Sequence, residues 1–254
     1  MLIDTHAHLD FEEYKNDFDT VWKEIQSAGV NKVIIPGVEP CGFENIIKFL
    51  QIEGIYGALG VHPSCVKEWN EDVAIQIKKL ANHKKIVAIG EIGLDYHWDK
   101  TNVSEQKEVF ISQIELAKEL RLPIIVHDRE AHEDTLSILK KTNAKEVGVV
   151  LHCFSGSVEF AKECIKEGFL ISLGGVVTFK NAKKPQEVAK EINLSYLMLE
   201  TDSPYLTPEP YRGKTNTPAY LPFVAQKIAD LRNISREEVS NITTQNAIKF
   251  FGLN

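Results

Sequence analysis

The 254-residue chain has no long apolar run, no paired cysteines and no excess of positive charge. Its longest apolar stretch, from Phe169 to Phe179, is broken by Ser172 and falls well short of the ~18 residues that cross a bilayer. A charge at Asp4 follows only three residues, so no apolar leader region is expected. Cys41, Cys65, Cys153 and Cys164 are widely spaced and form no CxxC pair, which argues against a disulfide framework or a thiolate zinc knuckle. With 29 Lys+Arg against 36 Asp+Glu, the net charge is −7. Coating duplex nucleic acid requires basic faces that displace condensed counterions, so the net acidity argues against that role without excluding a local phosphate site. A cytoplasmic protein with no membrane partner is the expectation.

What is present is ordinary globular material, 43% hydrophobic and 26% charged, enough to bury a sizeable core. Short apolar runs alternate with amphipathic segments from end to end. The runs are LIDTH from Leu2, KVIIPG from Lys32, IYGALG from Ile55, IVAIGE from Ile86, PIIVH from Pro123, GVVLH from Gly148, FLISLGG from Phe169 and YLMLETD from Tyr196. Helical spacing marks the intervals from about Asp17 to Ser27, Cys41 to Leu50, Asp72 to Ala81, Val103 to Leu120, His132 to Lys141, Ser157 to Lys166 and Ala182 to Glu191. Continuous apolar strands separated by helices indicate parallel strands covered on both faces. Eight such units in this length predict an α/β chain folded as a (β/α)8 TIM barrel, a single domain over 1–254. Two further helical patterns, Tyr220 to Leu231 and Ser235 to Phe251, follow a proline-rich stretch, the last opening on a capping box of Ser235 and Glu238.

The strand ends carry the chemistry. His6 and His8 end the first run, His62 follows the third, Glu91 the fourth, His127 the fifth, His152 the sixth and Asp202 the eighth. In a barrel these carboxyl ends converge on the face where active sites lie. Residues two apart on a strand project the same way, so His6 and His8 both point inward. One HxH pair is a weak signal, but four histidines and two carboxylates crowded into one mouth are costly without a cation. They exceed the three protein ligands of a single catalytic ion and match two ions about 3.5 to 4 Å apart. Glu91, between the histidine groups in chain order, is the natural bridge.

LIDTHAHLD (Leu2 to Asp10), GEIGLDY (Gly90 to Tyr96), PIIVHDREA (Pro123 to Ala131), LHCFSG (Leu151 to Gly156) and ETDSPYL (Glu200 to Leu206) together resemble the TatD family of metal-dependent deoxyribonucleases, within the amidohydrolase superfamily. The resemblance implies a distorted barrel with an extra C-terminal helix. It implies that His6, His8 and Asp202 bind one ion, His127 and His152 the other, and Glu91 both. It further implies cleavage of DNA or RNA phosphodiesters with Mg, Mn or Zn, commonly as a 3′ to 5′ exonuclease on single-stranded ends. Glu91 and Asp202 are then the catalytic carboxylates, Asp202 receiving the proton of the attacking water.

Substrate contacts are expected from His62, Asp95, Tyr96, Arg129, Ser155, Tyr205, Arg212 and Asn216. His62 and Arg129 suit phosphate oxygens, Asp95 suits holding a ligand histidine, and Tyr96 suits stacking on a base. Tyr205, Arg212 and Asn216 lie in a basic and aromatic lid where the family usually shows RGK(R)NEP and this chain has RGKTNTP. The same ligands suit carbonyl esters, so removal of D-amino acids from tRNA, which resembles an activity of some TatD-like proteins, is the alternative. A small-molecule amidase or lactonase is disfavoured by a glutamate bridge, and a non-catalytic metal-binding barrel by the complete ligand set. A monomer is compatible with all of these.

Overall fold

Runs rich in Ile, Val and Leu form strands because their side chains accept an extended backbone and can be buried on both faces. In the computed structural model, which describes residues 1–98 and 100–253, they are β1 (Leu2–Asp4), β2 (Val30–Ile35), β3 (Ile55–Leu59), β4 (Ile86–Asp95), β5 (Ile124–Arg129), β6 (Val149–Leu151), β7 (Leu170–Leu173) and β8 (Leu197–Leu199). Their order in the sheet is their order in the chain, β1 to β8, and each neighbouring pair is parallel. With helices between the strands, this is the TIM barrel expected.

The barrel is drawn shut by a seam beyond the ends of its first and last strands. Thr5 N–H donates to Leu199 O at 3.1 Å, Asp202 N–H to His6 O at 2.9 Å and His8 N–H to Ser203 O at 2.8 Å, and Ala7 bridges Ser203 in parallel. Asp4 braces the seam, its buried carboxylate accepting from Thr201 Oγ1 at 2.6 Å and from the Thr201 and His6 amides at 3.1 Å each. Burial pushes this acid up to about 8, against those hydrogen bonds. Closing the barrel therefore sets the positions of His6, His8 and Asp202 in the same act.

Helices lie close to their expected spans: Val103–Leu120 and His132–Lys141 agree at both ends, and Phe18–Ser27 and Val158–Lys166 begin one residue later. Ser157 and Ser235 cap the helices after them, their side chains accepting from the Phe160 and Glu238 amides. One inner apolar cluster takes Ile3, Ile34, Ala58, Ala88, Ile125, Val150 and Met198 from seven strands, and Ala247, Phe251 and Leu253 from the C-terminal helix (Arg236–Phe251) and its end. That helix is also tied to β8 by Asn246, whose amide donates to Leu194 O and Leu197 O at 2.7 Å each, and to Met1 O by Thr244. It packs beneath the amino ends of the strands and leaves the opposite mouth free.

Between Glu91 and Asp95 on β4, Gly93 has φ +148° and sits in register with His127 on β5. A Cβ there would stand 2.0 Å from His127 O, so only glycine lets β4 approach β5 closely enough to face Glu91 toward His127. Gly93→Ala is expected to cost about 3 kcal/mol, read as a lower urea midpoint. An unchanged midpoint would show that β4 and β5 tolerate separation.

Candidate metal centre

Seven side chains meet at the mouth. His6 and His8 flank the seam residue Ala7, so both imidazoles face inward, and Asp202 enters from beyond β8 with φ +54°, a left-handed backbone that Asp adopts more readily than most residues. Glu91 lies within β4 rather than at its end, because β4 continues to Asp95. His127 lies within β5, His152 directly after β6 and His62 three residues after β3. The long helix Val103–Leu120 holds two of these segments. Buried Gln113 accepts from Val61 N–H and donates to Val61 O at 2.8 and 2.9 Å, while Gln106 does the same for Asp95 at 2.8 and 2.9 Å.

The Glu91 carboxylate is the hub. Its Oε1 lies 2.6 Å from His127 Nδ1, 2.7 Å from His152 Nε2 and 3.5 Å from His62 Nε2, and its Oε2 3.2 Å from His6 Nε2. Asp202 Oδ1 stands 3.7 Å from His6 Nε2 and 3.6 Å from His8 Nε2. The His6 and His152 rings stack at 3.8 Å and 8°. Burial alone would raise the Glu91 carboxyl, but the surrounding imidazoles, His152 foremost, and the hydrogen bond with His127 hold it well below the usual range. Burial pushes His62 down to about 3, so this imidazole is neutral. Asp95 is likewise opposed by burial, yet bonds from His127 and the His97 amide hold it near 2.

Carboxylates behind the mouth aim the rings. Asp95 Oδ2 lies 2.9 Å from His127 Nε2, which turns Nδ1 toward Glu91. Glu200, fully buried, accepts from the Cys153 amide at 2.6 Å and stands 3.6 Å from His152 Nδ1. The Asp95–His127 pair is of the kind that orients metal-ligating histidines. His62 Nδ1 accepts from the Ser64 amide at 3.1 Å, placing its Nε2 at the centre.

The donor set fits divalent cations. Buried His6 Nε2, turned toward Glu91 and Asp202, has no hydrogen-bond partner among the described residues, a costly state for an imidazole held only by protein. Ligand atoms of His6, His8 and Glu91, of His6, His152 and Asp202, and of His62, Glu91 and His127 converge within 4.8 Å in each trio. The structure thus places His62 against the centre itself, its Nε2 turned toward Glu91.

Above the centre opens a cavity of about 650 Å³, in the range of small-ligand sites. Of the expected substrate contacts, His62, Asp95, Arg129, Ser155 and Tyr205 line it. The other three are placed elsewhere, each for a visible reason. Tyr96 donates its hydroxyl to Asp134 at 2.8 Å. Arg212 lays its guanidinium 4.0 Å from the centre of the Phe179 ring. Asn216 is fully buried, its amide donating to Thr201 O and Tyr205 O at 2.9 and 2.6 Å, so it holds the loop that carries Tyr205. Sequence reasoning missed Phe11, Trp98 and Asp128 in the lining. Trp98 follows three residues after Asp95, in the turn beyond the carboxyl end of β4.

A family model described as TatD related DNase matches residues 3–252. The "Uncharacterized metal-dependent hydrolase YabD" of Bacillus subtilis (strain 168) is 48% identical over 255 residues, spanning all of both chains. The "Uncharacterized metal-dependent hydrolase YcfH" of Escherichia coli (strain K12) is 35% identical over 258 residues, with 100% of this chain and 96% of the relative covered. The crystal structure of YjjV, a TatD homologue from Escherichia coli K12, superposes with a TM-score of 0.94 at 30% identity, covering 100% of this chain and 98% of that one.

If Glu91 joins both halves of the centre, Glu91→Gln loses more than one equivalent of metal at once. Elemental analysis after dialysis against Mn or Zn, together with the melting temperature, reads this. Retention of the wild-type metal content and thermal gain would remove Glu91 from the ligand set.

Proposed function

The chain belongs to the TatD family of metal-dependent hydrolases, and from that premise we propose that it hydrolyses nucleic-acid phosphodiesters, trimming single-stranded DNA from the 3′ end. The observation that carries the reading is the convergence of four histidines with Glu91 and Asp202 beneath an open cavity. The direction of attack is taken from the family resemblance. An acidic body with one recessed centre favours a narrow single strand over a duplex lying along its surface.

Two divalent cations, as Mg, Mn or Zn, held by His6, His8, His127, His152, Glu91 and Asp202 would lower the pKa of water and neutralise charge on the phosphoryl oxygens. The chain's own residues do the rest. Asp202, beside His6 and His8 and open to the cavity, orients the attacking water and accepts its proton. Neutral His62, with Nδ1 occupied by the Ser64 amide, presents an Nε2–H donor toward the reacting oxygens. Arg129, exposed on the rim, meets a neighbouring phosphate through its planar donor fork, and the Ser155 hydroxyl is a further donor in the lining.

The test strips metal from the protein, restores Mg, Mn or Zn separately, and supplies labelled single strands, duplexes and D-aminoacyl-tRNA. Stepwise metal-dependent shortening from the 3′ end is expected, and ester cleavage of the aminoacyl-tRNA alone would contradict it. Asp202→Asn is expected to lower kcat by about 10²- to 10⁴-fold. A variant at wild-type rate would take the proton-accepting role away from Asp202.

A further inference from the structure

Among the described residues, the exposed large apolar side chains are Met1, Ile75, Trp98, Ile111 and Tyr205. Both aromatic members line the cavity above the metal centre. Trp98 is 75% exposed and Tyr205 53%. They come from separate segments, Trp98 from the turn after β4 and Tyr205 from the loop after β8, so no single local motif accounts for the pair.

Neither ring serves the core, yet both are held. The Trp98 amide donates to Asp95 Oδ1 at 3.3 Å, the Arg129 guanidinium lies 5.3 Å from the indole centre, and His97 meets the ring edge-on at 4.9 Å. Beneath Tyr205, buried Asn216 donates to its carbonyl, and Phe11, itself stacked on His8 at 4.6 Å, faces the phenol ring edge-on at 6.4 Å. Asp95 thus anchors Trp98 through one carboxylate oxygen and His127 through the other. The backbone that carries the indole and the imidazole of His127 are held by the same group.

Two held, water-facing aromatic rings, an adjacent guanidinium and a floor suited to phosphoryl chemistry match a ligand with flat faces along an anionic backbone. An apolar peptide or lipid would gain from the rings but not from Arg129 or the polar floor. A free phosphate would gain from the floor but not from the rings.

We propose that Trp98 and Tyr205 are stacking platforms for unpaired bases of a strand entering the cavity, so that the chain selects nucleic acid by bases free of a partner. The inference rests on the nuclease reading for its substrate class. Stacking on aromatic side chains is sequence-tolerant because every base has a π face. The same platforms reject a duplex, whose bases already stack on each other. Trp98 and Tyr205 act here as specificity-determining residues.

The test uses full-length, metal-loaded protein and short phosphorothioate single strands that resist cleavage, with abasic strands of equal length as the comparison. Tryptophan emission is expected to be quenched by the base-bearing strand, and that strand is expected to bind about tenfold or more tighter than the abasic one. Trp98→Ala and Tyr205→Ala each shrink that ratio about tenfold, and Trp98→Phe restores most of it. No quench, or a ratio that the two alanine variants leave unchanged, overturns the proposal. Cleavage of ordinary strands is followed in parallel: turnover with an unchanged ratio defeats the platforms and spares the nuclease, whereas quenching without turnover on any strand defeats the nuclease.

Discussion

The mouth of this barrel depends on one buried anion. Glu91, 3% exposed, stands within 3.5 Å of nitrogen atoms from four histidines carried on or beyond four different strands. An isolated carboxylate at that depth would be neutral, and four imidazoles packed together would resist protonation. Each group makes the other tenable, and cations held in the same space would satisfy both. The arrangement survives only if β4 comes close to β5, which Gly93 permits, and if the seam from β1 to β8 brings His6, His8 and Asp202 to the near side.

The molecule divides its duties between its two ends. Beneath the strands, the C-terminal helix packs Ala247 and Phe251 into the inner apolar cluster, where burial supplies stability. Above them, buried polar groups replace apolar ones: His6, His8, Glu91, Asp95, His152 and Glu200 are all nearly inaccessible. Polar clusters of this size oppose folding unless their atoms are satisfied, so the stability of the lower end underwrites the unsatisfied nitrogens of the upper one. That separation is the one expected of barrels whose chemistry lies at the carboxyl ends of their strands.

Much of this was legible in the sequence, and unevenly so. Strand number, strand order and the convergence of His6, His8, Glu91, His127, His152 and Asp202 follow from two periodicities and from the polar residue that ends each apolar run. Long helices such as Val103–Leu120 repeat their pattern often enough for both ends to be read. Where the backbone is irregular, no period dictates side-chain direction. Asn216 read as a lid contact but is turned inward to carbonyls, and Tyr96 read as a stacking ring but is drawn to Asp134 by its hydroxyl. Trp98, on the same turn, takes the exposed place instead. His62 illustrates a subtler limit, because only the Ser64 amide on Nδ1 reveals which nitrogen it offers.

The central claim is that Glu91 stands between two cations. Anomalous diffraction from crystals equilibrated with Mn tests it directly. Two peaks about 3.5 to 4 Å apart, one beside His6 and His8 and the other beside His127 and His152, with Glu91 oxygens reaching both, are the predicted result. A single peak, or peaks that Glu91 does not touch, would contradict it.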